Sequence, residues 1–174
     1  YAQLRREWGA NTDRRMLGFF LLQGVLQVVL SAPWLISQLH PPQARSGWAG
    51  AGFWVGLGLW STGLLGESLA DRQLARFRAD PARKGQVCQD GLWGCSRHPN
   101  YFGEWLIWVG FALLSWTPLL QGVPGLLCAG GMYYLLNHVT GIPLTEQQLL
   151  ASKGAAYADY QARVPAFWPR PPRS

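Results

Sequence analysis

Four polar residues, arranged as two pairs, are the part of this sequence best able to do chemistry. Glu67 and Asp71 are four residues apart, and so are Asn100 and Glu104. Residues at this spacing share one face of an α-helix. All four lie within or at the end of long apolar runs, where a charged side chain is costly and is usually functional. An amide and a carboxylate on one helix face at that depth are suited to binding a carboxamide.

A basic stretch of the chain joins the two pairs. Its cationic residues are Arg72, Arg76, Arg78, Arg83, Lys84 and Arg97. Arginine side chains bind phosphate groups through two parallel hydrogen bonds, and the N-terminus of a helix beginning near Pro99 would add its free N–H groups. The stretch therefore predicts a site for an anionic ligand with several phosphates. An alternative stays open, in which these residues only anchor the loop to anionic lipid headgroups.

Four apolar segments are expected to position these groups. They cover approximately residues 16–39, 47–69, 101–117 and 120–139. The first contains no charged residue and is long enough to cross ~30 Å of hydrocarbon, and a membrane helix tolerates Pro33 within it. Charged residues make up 14% of the chain, against roughly 25% in soluble domains. We therefore predict an all-α fold, a polytopic transmembrane helical bundle that forms a single domain over residues 1–174.

The distribution of Lys and Arg predicts the orientation of the bundle. All but one of the 15 basic residues flank the apolar segments on the same side, and Arg45 alone lies on the other. Because cytoplasmic loops carry the excess of Lys and Arg, both ends of the chain and the loop over residues 70–100 are predicted to be cytoplasmic. This sorting also accounts for the net charge of +6, so membrane lipids and not nucleic acid are the expected partners.

A C-terminal amphipathic helix is predicted over residues 145–163. Its apolar side would be formed by Leu149, Leu150, Tyr157 and Tyr160. Such a helix lies in the membrane interface with its apolar face buried. Glu146, near the start of the helix, is interpreted as an ordinary capping acid. Contact between Glu146 and the basic loop is the alternative interpretation.

Two further patterns have structural interpretations. Gly52 and Gly56 are four residues apart, a spacing that predicts close helix packing. They do not match a dinucleotide-binding glycine fingerprint, because the spacing differs and no strand precedes them. The three cysteines at positions 88, 95 and 128 lack the spacing of a zinc site. They are predicted to be free thiols, and no metal site is expected.

The segment SRHPNYFGEW, residues 96–105, carries a family resemblance. Together with GESLADRQLARFR, KGQVCQDGLW and the C-terminal pattern PLTEQQLL…YADYQARVPAFWP, it resembles the steroid 5-alpha-reductase superfamily of membrane reductases. The similarity is greatest to bacterial members whose substrates are unassigned, and it extends through the whole chain. It implies a helical bundle in the bacterial inner membrane, with NADPH bound from the cytoplasmic side.

The resemblance also implies a reaction and a set of site residues. Hydride would pass from the nicotinamide to the β-carbon of an enone in a steroid-like or other lipid substrate, while an acid protonates or polarises the carbonyl oxygen. The cofactor-binding residues that it implies are Glu67, Asp71, Arg78, Lys84, Arg97, His98, Asn100, Tyr101 and Glu104. Asn100 and Glu104 would hold the nicotinamide carboxamide. Arg78, together with Lys84, would face phosphate.

Two features separate this chain from the family pattern. Sterol-reducing relatives carry an amide at the position of Glu67. In the family, the groups that polarise the substrate carbonyl come from helices upstream of the region present here, and this chain is expected to lack those helices. The resemblance therefore implies no catalytic residue within the chain, and the proton donor is expected upstream.

Two alternative functions stay open at this point. The isoprenylcysteine carboxyl methyltransferases and their bacterial relatives share the architecture, an RHP-x-Y-x-G stretch and a C-terminal E…Y..Y…P pattern, and they bind S-adenosylmethionine. Asn100 and Glu104 favour the reductase over this class. The basic loop also suits several phosphates better than a sulfonium. The second alternative, a non-enzymatic membrane scaffold, leaves the acids beside the basic loop unexplained.

Overall fold

The computed structural model describes residues 12–38, 48–115 and 123–171. The described residues contain helices and no β-strand, which confirms the predicted all-α class. The α-helices are α1 (Thr12–Gln38), α2 (Trp48–Ala79), α3 (Pro99–Leu114), α4 (Val123–Tyr134), α5 (Ile142–Lys153) and α6 (Ala155–Arg163). A π-helical turn, Leu135–Val139, continues α4. Arg45 and the connection between the last two predicted spans lie outside the described residues.

One helical segment, Thr12–Pro33 in α1, is long and apolar enough to cross a membrane. Only 6% of its apolar window is buried against the rest of the protein, so most of its side chains are exposed. Pro33 lies inside the helix, as the sequence predicts. No other described helix combines the length and the hydropathy that a membrane span requires. The arrangement of four spans therefore stays a prediction.

Helix α2 extends beyond the predicted apolar segment and carries the basic residues Arg76 and Arg78 in its last turn. It ends at Ala79, immediately before Asp80 and Pro81. Proline has no N–H to continue the helix, and the Asp80 carboxylate accepts a hydrogen bond from the Ala82 N–H at 3.0 Å. The basic loop, residues 80–98, therefore begins directly after Ala79.

Helices α2 and α3 pack antiparallel with their backbones in direct contact. A Cβ atom placed on Gly63 would lie 2.6 Å from the carbonyl oxygen of Gly103. Further along, a Cβ atom on Gly110 would lie 2.8 Å from the carbonyl oxygen of Gly56. Glycine alone permits such an approach. These contacts set the register that brings the polar residues of the two helices together.

The predicted packing role of Gly56 is confirmed. A Cβ atom on Gly52 would meet no atom of the described residues within 4 Å, so the packing role of Gly52 stays a prediction. The second contact glycine of α2 is Gly63, seven residues after Gly56. A spacing of seven returns to the same side of a helix after two turns, so these two glycines line one contact stripe along α3.

The predicted C-terminal helix over residues 145–163 is divided into α5 and α6. The division occurs at Gly154, whose φ of +56° lies in the left-handed region. Residues with a Cβ atom rarely adopt this conformation. The break allows α6 to turn back, and Tyr157 and Tyr160 are buried with Val164 against Leu149 of α5 and Val87 of the loop.

Candidate functional site

A cavity of about 530 Å³ lies between α2, the basic loop, the start of α3 and the C-terminal helices. Seven of the nine cofactor-binding residues implied by the resemblance line it: Asp71, Arg78, Lys84, Arg97, His98, Asn100 and Tyr101. The other two, Glu67 and Glu104, line a neighbouring cavity. The register of α2 against α3 therefore gathers residues that are widely separated in sequence.

One end of the larger cavity is formed by an amide and a carboxylate. The Asn100 Nδ2 donates a hydrogen bond to Asp71 Oδ1 at 3.2 Å. The Asn100 Oδ1 is buried and has no hydrogen-bond partner among the described residues. An unsatisfied buried acceptor costs about 1–3 kcal/mol. A ligand N–H group, such as that of a carboxamide, would satisfy this oxygen once the Asn100 side chain turned it toward the cavity.

Five Arg and Lys residues line the cavity, and three of them, which come from three different elements, are unpaired. Arg78 belongs to α2, Lys84 to the basic loop and Lys153 to α5. None of the three makes a hydrogen bond or an ion pair through its side chain with another described residue. Asp71 is the one acidic residue among those that line the cavity. The cavity is therefore positively charged overall and fits phosphate groups.

Lys153 has no counterpart in the sequence motifs, where it served only to predict the orientation of the chain. A sequence signal for it exists, because Thr145, Leu149 and Lys153 follow one another at intervals of four residues. All three line the cavity. The spacing alone does not indicate a binding role, because that role depends on the packing of α5 against the basic loop.

Arg97 lines the same cavity, but its guanidinium is engaged by protein acceptors. Its Nε and Nη2 donate to the Glu146 carboxylate at 2.6 and 3.1 Å. Its Nη1 donates to the carbonyl oxygens of Gln161 and Val164 at 3.0 and 2.6 Å. Four of the five N–H groups of an arginine are thus occupied. Arg97 consequently joins the loop to α5 and α6 and forms a rigid wall.

His98 and Tyr101 complete this wall. His98 is 2% exposed, and its Nε2 lies 3.2 Å from Glu146 Oε1. The rings of His98 and Tyr101 are stacked, with centroids 5.2 Å apart and an interplanar angle of 6°. The Tyr101 hydroxyl hydrogen bonds with Thr145 Oγ1 at 3.2 Å. The interpretation of Glu146 as a capping acid is therefore wrong, because its carboxylate binds Arg97 and His98 of the loop.

The segment after α6 fixes the residues that precede α3. The backbone N–H groups of Arg97 and His98 donate to the carbonyls of Pro165 and Ala166 at 2.9 and 3.1 Å. The Arg170 N–H donates to the Cys95 carbonyl at 3.0 Å. Residues 95–98 and 165–170 therefore lie side by side. The sequence offered no pattern for this contact.

The Glu146 carboxylate is expected to make stability depend on pH. Burial would raise the pKa of Glu146, but hydrogen bonds from His98 and Arg97 outweigh burial and lower the pKa to about 2. The pKa in the unfolded chain is 4.5. A lowered folded-state pKa gives stability that is present above the unfolded value and is lost as pH falls through the folded value.

We expect the free energy of unfolding to fall by roughly 3 kcal/mol between about pH 5 and pH 2 from this group. Thermal unfolding in detergent at a series of pH values measures this loss. Glu146→Gln cannot titrate, so its profile should lack this part of the slope. An identical slope in the variant and the wild type would contradict the assignment.

The second cavity, of about 370 Å³, adjoins the first. Its acidic residues are Glu67 of α2 and Glu104 of α3, and neither carboxyl group makes a hydrogen bond or an ion pair within the described residues. One helix turn separates them from Asp71 and Asn100 of the first cavity. Apolar residues form most of the remaining wall, among them Leu30, Ile107, Trp108 and Phe111. The cavity therefore combines an apolar wall with two carboxyl groups near the larger site.

Comparison with known proteins gives a family and several relatives. A family model described as "Protein of unknown function (DUF1295)" matches residues 1–164. The chain is 37% identical over 65 residues to 3-oxo-5-alpha-steroid 4-dehydrogenase 1 of Homo sapiens, covering 37% of this chain and 25% of that protein. It is 37% identical over 71 residues to the Mus musculus protein of the same name, covering 41% of this chain and 27% of that protein.

A plant relative matches over a longer segment. The chain is 32% identical over 103 residues to Steroid 5-alpha-reductase DET2 of Arabidopsis thaliana, covering 57% of this chain and 36% of that protein. The chain therefore spans about a quarter to a third of the length of these relatives. No solved structure matches it. Because the family model covers nearly the whole chain, the protein belongs to the DUF1295 family, within the steroid 5-alpha-reductase superfamily.

Proposed function

We propose that the protein is a membrane-embedded, NADPH-dependent reductase that transfers hydride to a carbon–carbon double bond of a steroid-like or other lipid enone. The observation that carries this proposal is the polarity of the larger cavity. One end has the unsatisfied Asn100 Oδ1, and the other has the unpaired cations Arg78, Lys84 and Lys153. NADPH has a carboxamide at one end and phosphate groups further along.

The separation of the two ends follows from helix geometry. Asp71 and Arg78 are seven residues apart on α2, and Thr145 and Lys153 are eight residues apart on α5. At 1.5 Å per residue these intervals correspond to about 10 and about 12 Å. A pyridine ring and a ribose separate the carboxamide of NADPH from its pyrophosphate, so one ligand suits both ends.

The residues of the chain then have distinct roles. Asn100 accepts a hydrogen bond from the carboxamide N–H group, and Glu104, one turn along α3, lines the second cavity. Arg78 and Lys84 bind phosphate. When bound, NADPH supplies the hydride. The second cavity, with Glu67 and the apolar wall, takes the lipid substrate next to the nicotinamide. No proton donor is assigned to this chain.

The membrane setting is part of the proposal. The spans at approximately residues 16–39, 47–69, 101–117 and 120–139 would place the larger cavity at the cytoplasmic surface of a bacterial inner membrane. Support comes from the apolar, outward-facing helix α1 and from the sorting of basic residues to one side. Both ends of the chain would then be cytoplasmic, where NADPH is supplied.

Charge disfavours S-adenosylmethionine as the ligand. Its sulfonium is a cation, and a site lined by three unpaired cations and one acid repels it. The names of the relatives, a steroid dehydrogenase and a steroid reductase, also support an oxidoreductase over a methyltransferase. The methyltransferase is therefore the less favoured function.

Ligand-dependent stability tests the proposal. A ligand that binds only the folded state raises the free energy of unfolding by about 2.7 kcal/mol at a hundredfold excess over its dissociation constant. We expect NADPH to stabilise the purified protein in this way. Arg78→Ala and Lys84→Ala should each reduce the effect, because they remove phosphate contacts.

Arg72→Ala is the matched control, because Arg72 is an exposed cation on α2 that does not line the cavity. Its stabilisation by NADPH should equal that of the wild type. Stabilisation by S-adenosylmethionine but not by NADPH would replace the proposal with the methyltransferase. Stabilisation by neither ligand would contradict both.

A further inference from the structure

We propose that Lys153 binds a phosphate group of the cofactor, so that the C-terminal helix α5 forms part of the cofactor site. This inference rests on the proposed function and extends it to a residue outside the motifs. Lys153 is half-buried at the end of α5 and lines the cationic end of the larger cavity with Arg78 and Lys84.

The orientation of α5 is fixed at its start. Thr145 hydrogen bonds with Tyr101, and Glu146 binds Arg97 through two hydrogen bonds. Thr145 and Lys153 are eight residues apart, which is close to two helical turns and thus near the same face. The face that contacts Tyr101 therefore also carries Lys153. The contacts of α5 with the loop direct the lysine into the cavity.

Lys153 has no acidic partner among the described residues. The neighbouring acids are already engaged: Glu146 by Arg97 and His98, and Asp159 by Arg163 at 2.6 Å. Asp71, the acid that lines the same cavity, accepts a hydrogen bond from Asn100. A cation without a counter-ion, held in a cavity beside two others, favours an anionic ligand.

A lysine in the last turn of a helix also has a general explanation, because it interacts favourably with the helix dipole. That effect requires only proximity to the last carbonyl groups. It does not account for a side chain that faces a cavity shared with Arg78 and Lys84. Removing the charge distinguishes the two explanations, because only phosphate contact changes the affinity for a ligand.

The experiment measures dissociation constants of NADPH and NADH by calorimetry, with the protein in nanodiscs of phosphatidylcholine. These nanodiscs contain no anionic lipid, so lipid headgroups cannot compete for the lysine. Lys153→Gln should weaken binding of NADPH on the order of tenfold, because it removes one charge-assisted contact. It should also flatten the dependence of affinity on ionic strength. Lys153→Arg should restore most of the affinity, and Arg72→Gln should leave it unchanged.

The two cofactors identify which phosphate is bound. Loss of affinity for NADPH alone assigns Lys153 to the 2′-phosphate, and equal loss for NADPH and NADH assigns it to the pyrophosphate. Unchanged affinity for both, or the same loss in Arg72→Gln, overturns the inference while the proposed function stands. A wild-type protein that binds neither cofactor overturns the proposed function and this inference together.

Discussion

Replacing Glu146 with alanine is expected to lower the free energy of unfolding by about 3–5 kcal/mol, because it leaves a buried cation without its partner. Arg97 is 11% exposed, and Glu146 is 15% exposed. The carboxylate also accepts a hydrogen bond from Gln161 at 2.8 Å and lies next to His98. The loss therefore separates α5 and α6 from the basic loop. Thermal or denaturant-induced unfolding of the purified protein measures it.

Asp159→Ala is the matched control. Asp159 pairs with Arg163 on α6, but both side chains are exposed, Asp159 at 65%. Exposed ion pairs contribute about 0.2–1 kcal/mol, so this variant should unfold nearly as the wild type does. Equal losses in the two variants would show that the Glu146 contacts do not connect the C-terminal helices to the loop.

Replacing Gly63 with alanine is expected to destabilise the protein by about 1–3 kcal/mol, the usual cost of overpacking. The new Cβ atom would lie 2.6 Å from the Gly103 carbonyl oxygen and 2.8 Å from the Ile107 nitrogen. Both are backbone atoms, so α2 and α3 must move apart. Because Asp71 and Asn100 lie on these two helices, we also expect weaker binding of NADPH.

Gly58→Ala provides the comparison within the same helix. Its Cβ atom would meet no atom of the described part of the chain within 4 Å. Alanine favours a helix interior over glycine by about 0.5–1 kcal/mol, so this variant should be slightly more stable than the wild type. Thermal unfolding of both variants measures the difference in their stabilities. A Gly63 variant as stable as the Gly58 variant would contradict direct contact of the two backbones.

Features encoded by neighbouring residues were predictable from the sequence. Long apolar runs predict the helices, Pro81 predicts the end of α2, and the spacing of Asn100 and Glu104 predicts that they share a face. The break at Gly154 was not predictable, because the amphipathic pattern continues across it. Its left-handed conformation depends on α6 packing back against α5.

The assembly of the site was less predictable, because it depends on the register between helices. The sequence placed Glu104 and Asn100 in one site, and the structure places them in two adjoining cavities. The register depends on Gly56, Gly63, Gly103 and Gly110, and of these the sequence pattern identified only Gly56. Two partners of Glu146, His98 and Arg97, lie 48 and 49 residues earlier in the chain, which no local pattern can reveal.

The pairing of residues 95–98 with residues 165–170 has a consequence for biosynthesis. Ser96 and its backbone partners are joined about 70 residues apart in sequence. A chain made from its N-terminus at about 5–20 residues per second therefore leaves the RHPNY segment without these partners for several seconds of translation. The contact between residues 95–98 and 165–170 therefore forms only after Arg170 has been synthesised, whereas α2 and α3 are complete earlier and can already pack against each other.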